Sequence, residues 1–279
     1  MIIDSHCHAW NHWPYQPAVP DPETRGSIEQ LVYEMETNSV DQSLIVCAQI
    51  EHNPTNNAYV AGAIQNYPGR LQMLADLDSE WSETYHRPGM AQRLRAMAEN
   101  WNICGFTHYI RRDEDGSWLA GVEGEAVFQA AAELGIIASL CCYPHQQPAI
   151  RKIAARHPTV PILCHHLGLV QHGAGTFDEN LAQVSTSADQ PNIFIKVSGF
   201  GYMASQKWEY PYPDSQAIFE KIFREFGAKR LCWGSDYPVV CYYMTYRQSL
   251  EVLKTHCSFV SAEDKDWILG KTLQNLIKS

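Results

Sequence analysis

Met1-Ile2-Ile3-Asp4-Ser5-His6-Cys7-His8 opens the chain. Its two isoleucines indicate the start of a buried strand, and this strand ends in His6 and His8. Residues two apart in an extended strand point to the same side, so both imidazoles face one space. This arrangement suits the binding of a metal ion or of a polarised oxygen. Because the chain contains 12 histidines, a chance pair on a surface strand is the alternative.

Eight short apolar runs recur along the chain, and a helix-like segment follows each of them. The runs span residues 2–8, 43–49, 71–77, 103–110, 136–143, 160–166, 192–199 and 230–235. Each run is continuously hydrophobic, which is typical of parallel strands covered by helices. No Gly-x-Gly-x-x-Gly follows the first run, and this disfavours a dinucleotide-binding sheet. We therefore predict an α/β fold, a (β/α)8 TIM barrel that forms one domain over residues 1–279.

The composition disfavours several classes of partner. The formal net charge is −10, from 21 Lys and Arg against 31 Asp and Glu, and no basic cluster stands out. Neither a nucleic acid nor an anionic membrane is therefore expected to bind. No membrane span or secretory signal is visible. The nine cysteines lie mostly in apolar runs and form no Cys-x-x-Cys pair, so we expect a reducing, cytoplasmic location.

Polar residues collect at the ends of the predicted strands, which is where (β/α)8 barrels carry out their chemistry. The residues at these ends are His6 and His8, His108, Tyr109 and Arg111, His165 and His166, and Asp236. Several imidazoles and one carboxylate fit zinc or a similar divalent ion, with one position left for water. A carboxylate beside such a water can take its proton. Taken alone, Asp236 could equally cap a helix after Gly234-Ser235.

Four motifs carry a resemblance to a known family. They are Ile3-Asp4-Ser5-His6-Cys7-His8, Cys164-His165-His166-Leu167-Gly168, Lys196-Val197-Ser198-Gly199 and Trp233-Gly234-Ser235-Asp236-Tyr237-Pro238. In this order they resemble the amidohydrolase superfamily, in its amidohydrolase-related branch, over essentially the whole chain. Within the branch, the last three motifs resemble the sugar-lactone and 2-pyrone-4,6-dicarboxylate-type lactone hydrolases.

The resemblance implies a distorted (β/α)8 barrel with one site. Its metal ligands would be His6, His8, His166 and Asp236, and Asp236 and His166 would be catalytic. The nitrogen-and-carboxylate ligand set itself predicts a divalent metal, zinc or manganese. A metal-free mechanism stays open, because some lactonases of this branch work without a metal.

The sequence departs from the family pattern in two places. His165 stands where the family usually has Asp, and strand alternation predicts that its side chain points away from His166 and into packing. Strand four reads Gly105-Phe106-Thr107-His108 where the family commonly has Gly-Val/Ile-Arg/Lys. No lysine that could be carbamylated follows this strand, so we do not expect a bridged two-metal centre.

Five further residues are candidates for substrate binding: His108, Tyr109, Arg111, Lys196 and Tyr202. Arg111 and Arg112 could clamp a carboxylate or lie in a solvated loop. Lys196, in the middle of an apolar run, predicts either a structural ion pair or a substrate contact. The aromatic segment 200–212 could line a pocket or pack against another subunit. We expect His52, His145 and His172 in surface loops.

The sequence thus predicts a hydrolase that opens a lactone ring, sugar-derived or dicarboxylic. Histidines polarise the carbonyl, with or without a metal, and Asp236 activates water. One alternative is a metal-dependent decarboxylase, a carbon–carbon lyase on the same barrel. A second alternative is a non-catalytic barrel that binds a ligand. The expected partner is a small-molecule substrate, and a homo-oligomer is possible.

Overall fold

The computed structural model describes residues 1–171 and 176–277, and His172 lies outside them. The strands are β1 Ile3–Cys7, β2 Gln42–Val46, β3 Leu71–Asp76, β4 Gly105–Tyr109, β5 Ile137–Cys141, β6 Ile162–Cys164, β7 Ile193–Val197 and β8 Leu231–Trp233. The helices are α1 Ile28–Thr37, α2 Asn56–Ala63, α3 Met90–Asn100, α4 Val122–Leu134, α5 Gln147–Arg156, α6 Phe177–Thr186, α7 Phe200–Met203, α8 Pro213–Phe226, α9 Tyr246–Glu251, α10 Ala262–Asp266 and α11 Thr272–Ile277. Residues Val252–His256 and Trp267–Lys271 continue α9 and α10 as π-helical turns.

The eight strands form one parallel sheet in the order β1 to β8, with helices between them. Every strand pairs with its neighbour in sequence, from β1–β2 through β7–β8. The predicted (β/α)8 barrel is confirmed. No helix in the described part of the chain is both long enough and apolar enough to span a membrane.

Hydrogen bonds at the carboxyl ends of the strands join β8 to β1. The Asp236 amide donates to the His6 carbonyl at 2.7 Å, and the His8 amide donates to the Tyr237 carbonyl at 2.6 Å. The Ser235 amide donates to Asp4 Oδ1 at 2.9 Å. The register of β1 against β2 also shifts between Asp4 and Cys7. These contacts bring the first and last strands together at the predicted site.

The barrel interior is apolar at one end and polar at the other. Ile3, Leu44, Val46, Leu74, Ile137, Leu163, Cys232 and Leu273 form an apolar cluster. Further along the strands, the buried side chains include Ser139, Lys196 and His6. Residues two apart in a strand share a face, so Ser139 follows Ile137 on the inward side of β5. In β1, His6 follows Ile3 across the shift of register between Asp4 and Cys7. The barrel core therefore supports a polar floor beneath the site.

Gly105 in β4 gives a test of how tightly this barrel is packed. A Cβ there would lie 2.3 Å from the Ile137 carbonyl oxygen and 2.5 Å from Leu74 Cδ2. We expect Gly105→Ala to lower the free energy of unfolding by about 1–3 kcal/mol, because overpacking displaces backbone. Urea denaturation measures this change. Gly62→Ala is the control, since a Cβ on that exposed helical residue meets nothing within 4 Å. A neutral Gly105→Ala would contradict tight packing.

Candidate functional site

His6, His8 and Asp236 form a triangle at the ends of β1 and β8. The two Nε2 atoms are 3.2 Å apart, and Asp236 Oδ1 lies 3.4 Å from His6 Nε2 and 3.5 Å from His8 Nε2. All three side chains are buried. Asp236 has a φ of 61°, so the chain turns sharply after β8 and directs the carboxylate back over β1. Gly234 permits this approach, because a Cβ there would lie 2.7 Å from His6 Cβ.

A hydrogen bond at Nδ1 of His8 determines which of its two ring nitrogens faces the site. His8 Nδ1 lies 2.7 Å from the Val46 carbonyl oxygen. Because a carbonyl only accepts, Nδ1 carries the proton and the Nε2 lone pair points into the triangle. The indole of Trp10 stacks on this imidazole, with ring centroids 4.9 Å apart and planes inclined by 12°. Both contacts hold His8 as a ligand or as a hydrogen-bond acceptor.

His166 and His165 both join the cluster, and the prediction that His165 points away is wrong. The His6 ring centroid lies 4.5 Å from those of His165 and His166. Strand alternation fails here because β6 ends at Cys164 and His166 adopts a positive φ of 46°. This turn rotates His166 back to the side of His165. His166 Nδ1 also lies 3.0 Å from Ser198 Oγ.

Burial controls the protonation of these histidines. Desolvation lowers the pKa of His166 to about 4. Desolvation, together with the charge of Lys196, holds the pKa values of His6 and His165 well below the usual range. These three imidazoles are therefore neutral at pH 7, with one lone pair each. Neutral imidazoles can ligate a metal, and they can also donate a hydrogen bond through the other nitrogen.

Lys196 lies beneath the cluster and is fully buried. Its Nζ donates to Ser139 Oγ at 2.8 Å and lies 3.2 Å from His6 Nδ1. Ser139 Oγ in turn lies 2.7 Å from His165 Nε2. Among the described residues no carboxylate lies within ion-pair distance of Nζ, so the predicted structural ion pair is absent from this part of the chain. Burial lowers the pKa of Lys196 to about 7.

The donor set fits a divalent cation. Ligand atoms of His6, His8 and Asp236 lie within 4.8 Å of one another, and so do those of His6, His165 and His166. Asp236 Oδ2 is buried and has no hydrogen-bond partner among the described residues. Neutral imidazoles with one carboxylate are ligands that zinc and similar ions prefer. An unpaired buried carboxylate oxygen is costly unless a ligand or proton binds there.

A cavity of about 580 Å³ opens beside this cluster. It is lined by His8, Pro14, Tyr15, Gln16, Ala48, Ile50, Glu51, His52, Glu80, Trp81 and Tyr109. A second cavity, of about 600 Å³, lies at the opposite end of the barrel near Leu71, Trp101 and Ile277 and contains none of the clustered residues. Of these two cavities, the first is the candidate substrate site, because it is lined by His8.

The sequence signature of the amidohydrolase family matches residues 3–272. The chain belongs to the amidohydrolase family. The match covers nearly the whole chain, including both β1 and the turn after β8. The resemblance stated from the motifs is confirmed.

Several proteins are similar to this amidohydrolase. L-fucono-1,5-lactonase of Burkholderia ambifaria is 27% identical over 149 residues, which cover 52% of this chain and 50% of that protein. An amidohydrolase from Burkholderia multivorans with bound zinc has a TM-score of 0.78 at 18% identity, with 100% of this chain and 99% of that chain covered. A probable 2-pyrone-4,6-dicarboxylic acid hydrolase from Acinetobacter baumannii, with citric acid bound, has a TM-score of 0.75 at 20% identity and the same coverage.

The same fold also carries another chemistry. The 5-carboxyvanillate decarboxylase of Sphingomonas paucimobilis has a TM-score of 0.68 at 14% identity, with 99% of this chain and 98% of that chain covered. At these identities the similarity of the structures establishes the fold alone. The reaction of this amidohydrolase depends on the residues of its own site.

The structure separates the predicted substrate-binding residues into two groups. Tyr109 lines the cavity, and its ring centroid lies 5.2 Å from that of His165. Tyr202, on α7, lies 5.2 Å from His166, also between ring centroids. With Lys196 below, these residues of the amidohydrolase surround the cluster. In the aromatic segment 200–212, the part that approaches the site is therefore α7.

His108 and Arg111 lie elsewhere, which corrects their predicted role. His108 is adjacent to Tyr109 in β4, so it points to the opposite face, and its Nδ1 lies 2.9 Å from the Leu77 carbonyl oxygen. Its ring lies nearly parallel to those of Tyr85 and Trp118, at centroid distances of 5.7 and 6.4 Å. The exposed Arg111 guanidinium lies 4.7 Å from the centroid of the Tyr85 ring. Neither residue lines the cavity.

Sequence reasoning missed most of the cavity wall. Tyr15, Glu51, Glu80 and Trp81 all lie in loops that follow β1, β2 and β3. Loops at the carboxyl ends of barrel strands build the active site, and this rule could have identified the segments. It could not have identified which side chains turn inward. His145 is exposed, as expected, and its Nε2 lies 2.9 Å from the Glu114 carbonyl oxygen.

Proposed function

We propose that this amidohydrolase hydrolyses the ester bond of a lactone ring. The observation that carries the proposal is the Asp236 carboxylate. Its Oδ2 has no hydrogen-bond partner among the described residues, and its Oδ1 lies 3.4 Å from His6 Nε2 and 3.5 Å from His8 Nε2. Of these side chains, His8 lines the cavity. Such a carboxylate can accept a proton from water while the imidazoles polarise a carbonyl oxygen. The names of the lactonase relative and of the dicarboxylic acid hydrolase support the same reaction class.

A single carboxylate can carry out both proton transfers of this reaction. Water adds its oxygen to the lactone carbonyl carbon and gives a proton to Asp236. The ring carbon–oxygen bond then breaks, and Asp236 passes that proton to the departing alkoxide. The product is an open hydroxy acid, and Asp236 is again a carboxylate. The ring centroids of His165 and His166 each lie 4.5 Å from that of His6, and an N–H group of either could donate to the developing oxyanion.

We further propose that a divalent ion, zinc or manganese, binds here. His6 Nε2, His8 Nε2 and Asp236 Oδ1 would hold it, with His166 beside them. When bound, such an ion polarises a carbonyl oxygen and eases the deprotonation of water. His8 keeps its orientation through Val46, and Lys196 keeps that of His6.

A panel of substrates tests the proposed function. We expect turnover of sugar-derived or pyrone-type lactones, measured as acid release after subtraction of the uncatalysed rate. Elemental analysis of the same sample should find about one zinc or manganese ion per chain. Full activity after exhaustive chelation, with no metal in the protein, would instead favour the metal-free mechanism.

The similarity in fold to a decarboxylase makes a carbon–carbon lyase the second candidate. Release of carbon dioxide from aromatic or enoic acids, with no turnover of any lactone, would replace the hydrolase proposal with this one. If neither reaction occurs, the barrel that only binds a ligand becomes the better account.

A further inference from the structure

The cavity beside the cluster has acidic and aromatic walls. Glu51 and Glu80 are exposed and line it from the loops after β2 and β3. Tyr15, Trp81 and Tyr109 provide aromatic surface. The lining residues include no arginine or lysine. A ligand carboxylate in this cavity would therefore meet two like charges without a cationic partner, whereas hydroxyl groups would find acceptors.

Arg111 does not line the cavity, although its charge acts on the Glu80 carboxylate. Arg111 Nη2 approaches the backbone carbonyl of Glu80 at 3.5 Å, and its guanidinium lies over the Tyr85 ring. The Glu80 amide donates to the Tyr109 carbonyl at 3.1 Å, which fixes the backbone of Glu80 beside the cavity. No hydrogen bond of the Glu80 carboxylate to another described residue is present, so this group is available to a ligand.

Hydrogen bonds to buried residues hold the aromatic wall of the cavity in place. The Trp81 indole N–H donates to Asp76 Oδ2 at 2.8 Å, and the Gln49 amide donates to the same oxygen at 2.7 Å. The Asn57 side chain holds the backbone of Asp76. Its Nδ2 donates to the Asp76 carbonyl at 2.9 Å, and its Oδ1 accepts from the Asp76 amide at 2.8 Å. The Trp81 and Tyr109 ring centroids are 4.7 Å apart. Asp76, deeply buried at the end of β3, thus positions Trp81 against Tyr109.

We propose that this cavity is a subsite for a neutral, polyhydroxylated lactone ring, and that Glu51 and Glu80 exclude lactones that carry carboxylates. This inference rests on the proposed function. The apolar C–H face of such a ring packs on Trp81 and Tyr109, while its hydroxyls donate to the two carboxylates. Hydrolysis creates a carboxylate beside the acidic wall, and the resulting repulsion favours release of the product. Such a subsite binds sugar-derived lactones in preference to dicarboxylic lactones.

Charge-neutralising variants test the subsite. L-fucono-1,5-lactone is the neutral probe, and 2-pyrone-4,6-dicarboxylate is the anionic one. We expect the unmodified protein to have a kcat/KM at least about 100-fold higher on the neutral probe. In the double variant Glu51→Gln/Glu80→Gln that ratio should fall by about tenfold or more. Glu83→Gln, an exposed residue on the loop of Glu80 but outside the lining, should leave the ratio unchanged.

Binding to the Asp236→Asn variant separates this inference from the proposed function. Calorimetry with the two probes reports charge selectivity even if no lactone is hydrolysed. The subsite is supported, whatever the reaction, if Asp236→Asn binds the neutral probe more tightly than the anionic one. Adding Glu51→Gln and Glu80→Gln to this variant should then weaken that preference. Equal or tighter binding of the dicarboxylate, or no binding of either probe, would overturn it.

Discussion

Asp236→Asn is expected to lower turnover of any lactone that the enzyme hydrolyses by about 100-fold or more, the usual scale for loss of a general base. The substitution removes the basic oxygen and keeps the size of the side chain. Folding should survive, because the amide of residue 236 still donates to the His6 carbonyl. Asparagine also tolerates the left-handed backbone that Asp236 adopts, with a φ of 61°.

Single-turnover kinetics on a verified substrate measure this loss, and circular dichroism checks the fold. Asp113→Asn, at an exposed residue of the rim, is the matched control and should keep native turnover. Near-native turnover by Asp236→Asn would refute Asp236 as the proton acceptor. A barrel that only binds a ligand would show no turnover in either protein, and calorimetry should then find that ligand binding survives the substitution.

The barrel could be predicted because its strands are apolar on both faces. The strand predicted at residues 71–77 spans Leu71–Asp76 in the structure, and the strand predicted at residues 192–199 spans Ile193–Val197. At the beginning of α1, Ser27 Oγ accepts from the Gln30 amide at 3.3 Å, a capping contact of the kind that Ser followed three residues later by Gln favours. The strands end earlier than the hydrophobicity does, because apolar residues continue into the turns that follow.

The candidate site was less predictable, because it depends on local backbone geometry. The positive φ values of His166 and Asp236 set the directions of two side chains, and neither angle follows from residue type. The rule of alternation correctly separates Tyr109 from His108 inside β4, although both were grouped as substrate-binding. It fails at His165, where the strand has already ended. Loop residues such as Trp81 carry no periodic signal at all.

Lys196→Met is expected to stabilise the metal-free protein, by about 2–4 kcal/mol near pH 6, at the expense of activity. Lys196 has no exposed surface, and its hydrogen-bonding contacts are Ser139 and His6. Burial lowers its pKa to about 7 from the ordinary value of 10.5. Methionine fills similar volume without a buried charge. Turnover should fall by about tenfold or more, because His6 loses the partner that orients it.

The pH dependence of this gain identifies its origin. Between pH 7 and 10.5 the unfolded chain binds more protons at Lys196 than the folded chain does, so the stability of the native protein rises with pH there. The free-energy cost of burying the Lys196 ammonium is therefore largest below about pH 7 and falls as the pH rises toward 10.5. The advantage of Lys196→Met should therefore be largest near pH 6 and shrink steadily by pH 9 to 10.

Urea denaturation of chelator-treated protein at pH 6, 8 and 9.5 measures this advantage. Because the titrating groups distant from this cluster are common to both proteins, the difference between them reports on Lys196 together with the histidines that its charge affects. Lys152→Met, at an exposed residue, is the control and should change stability little at any pH. An Lys196→Met protein less stable than the native one at pH 6 would mean that Ser139 and His6 fully compensate the buried ammonium. The lysine would then be part of the scaffold of the barrel, and its presence beneath the histidines would not require a role in the reaction.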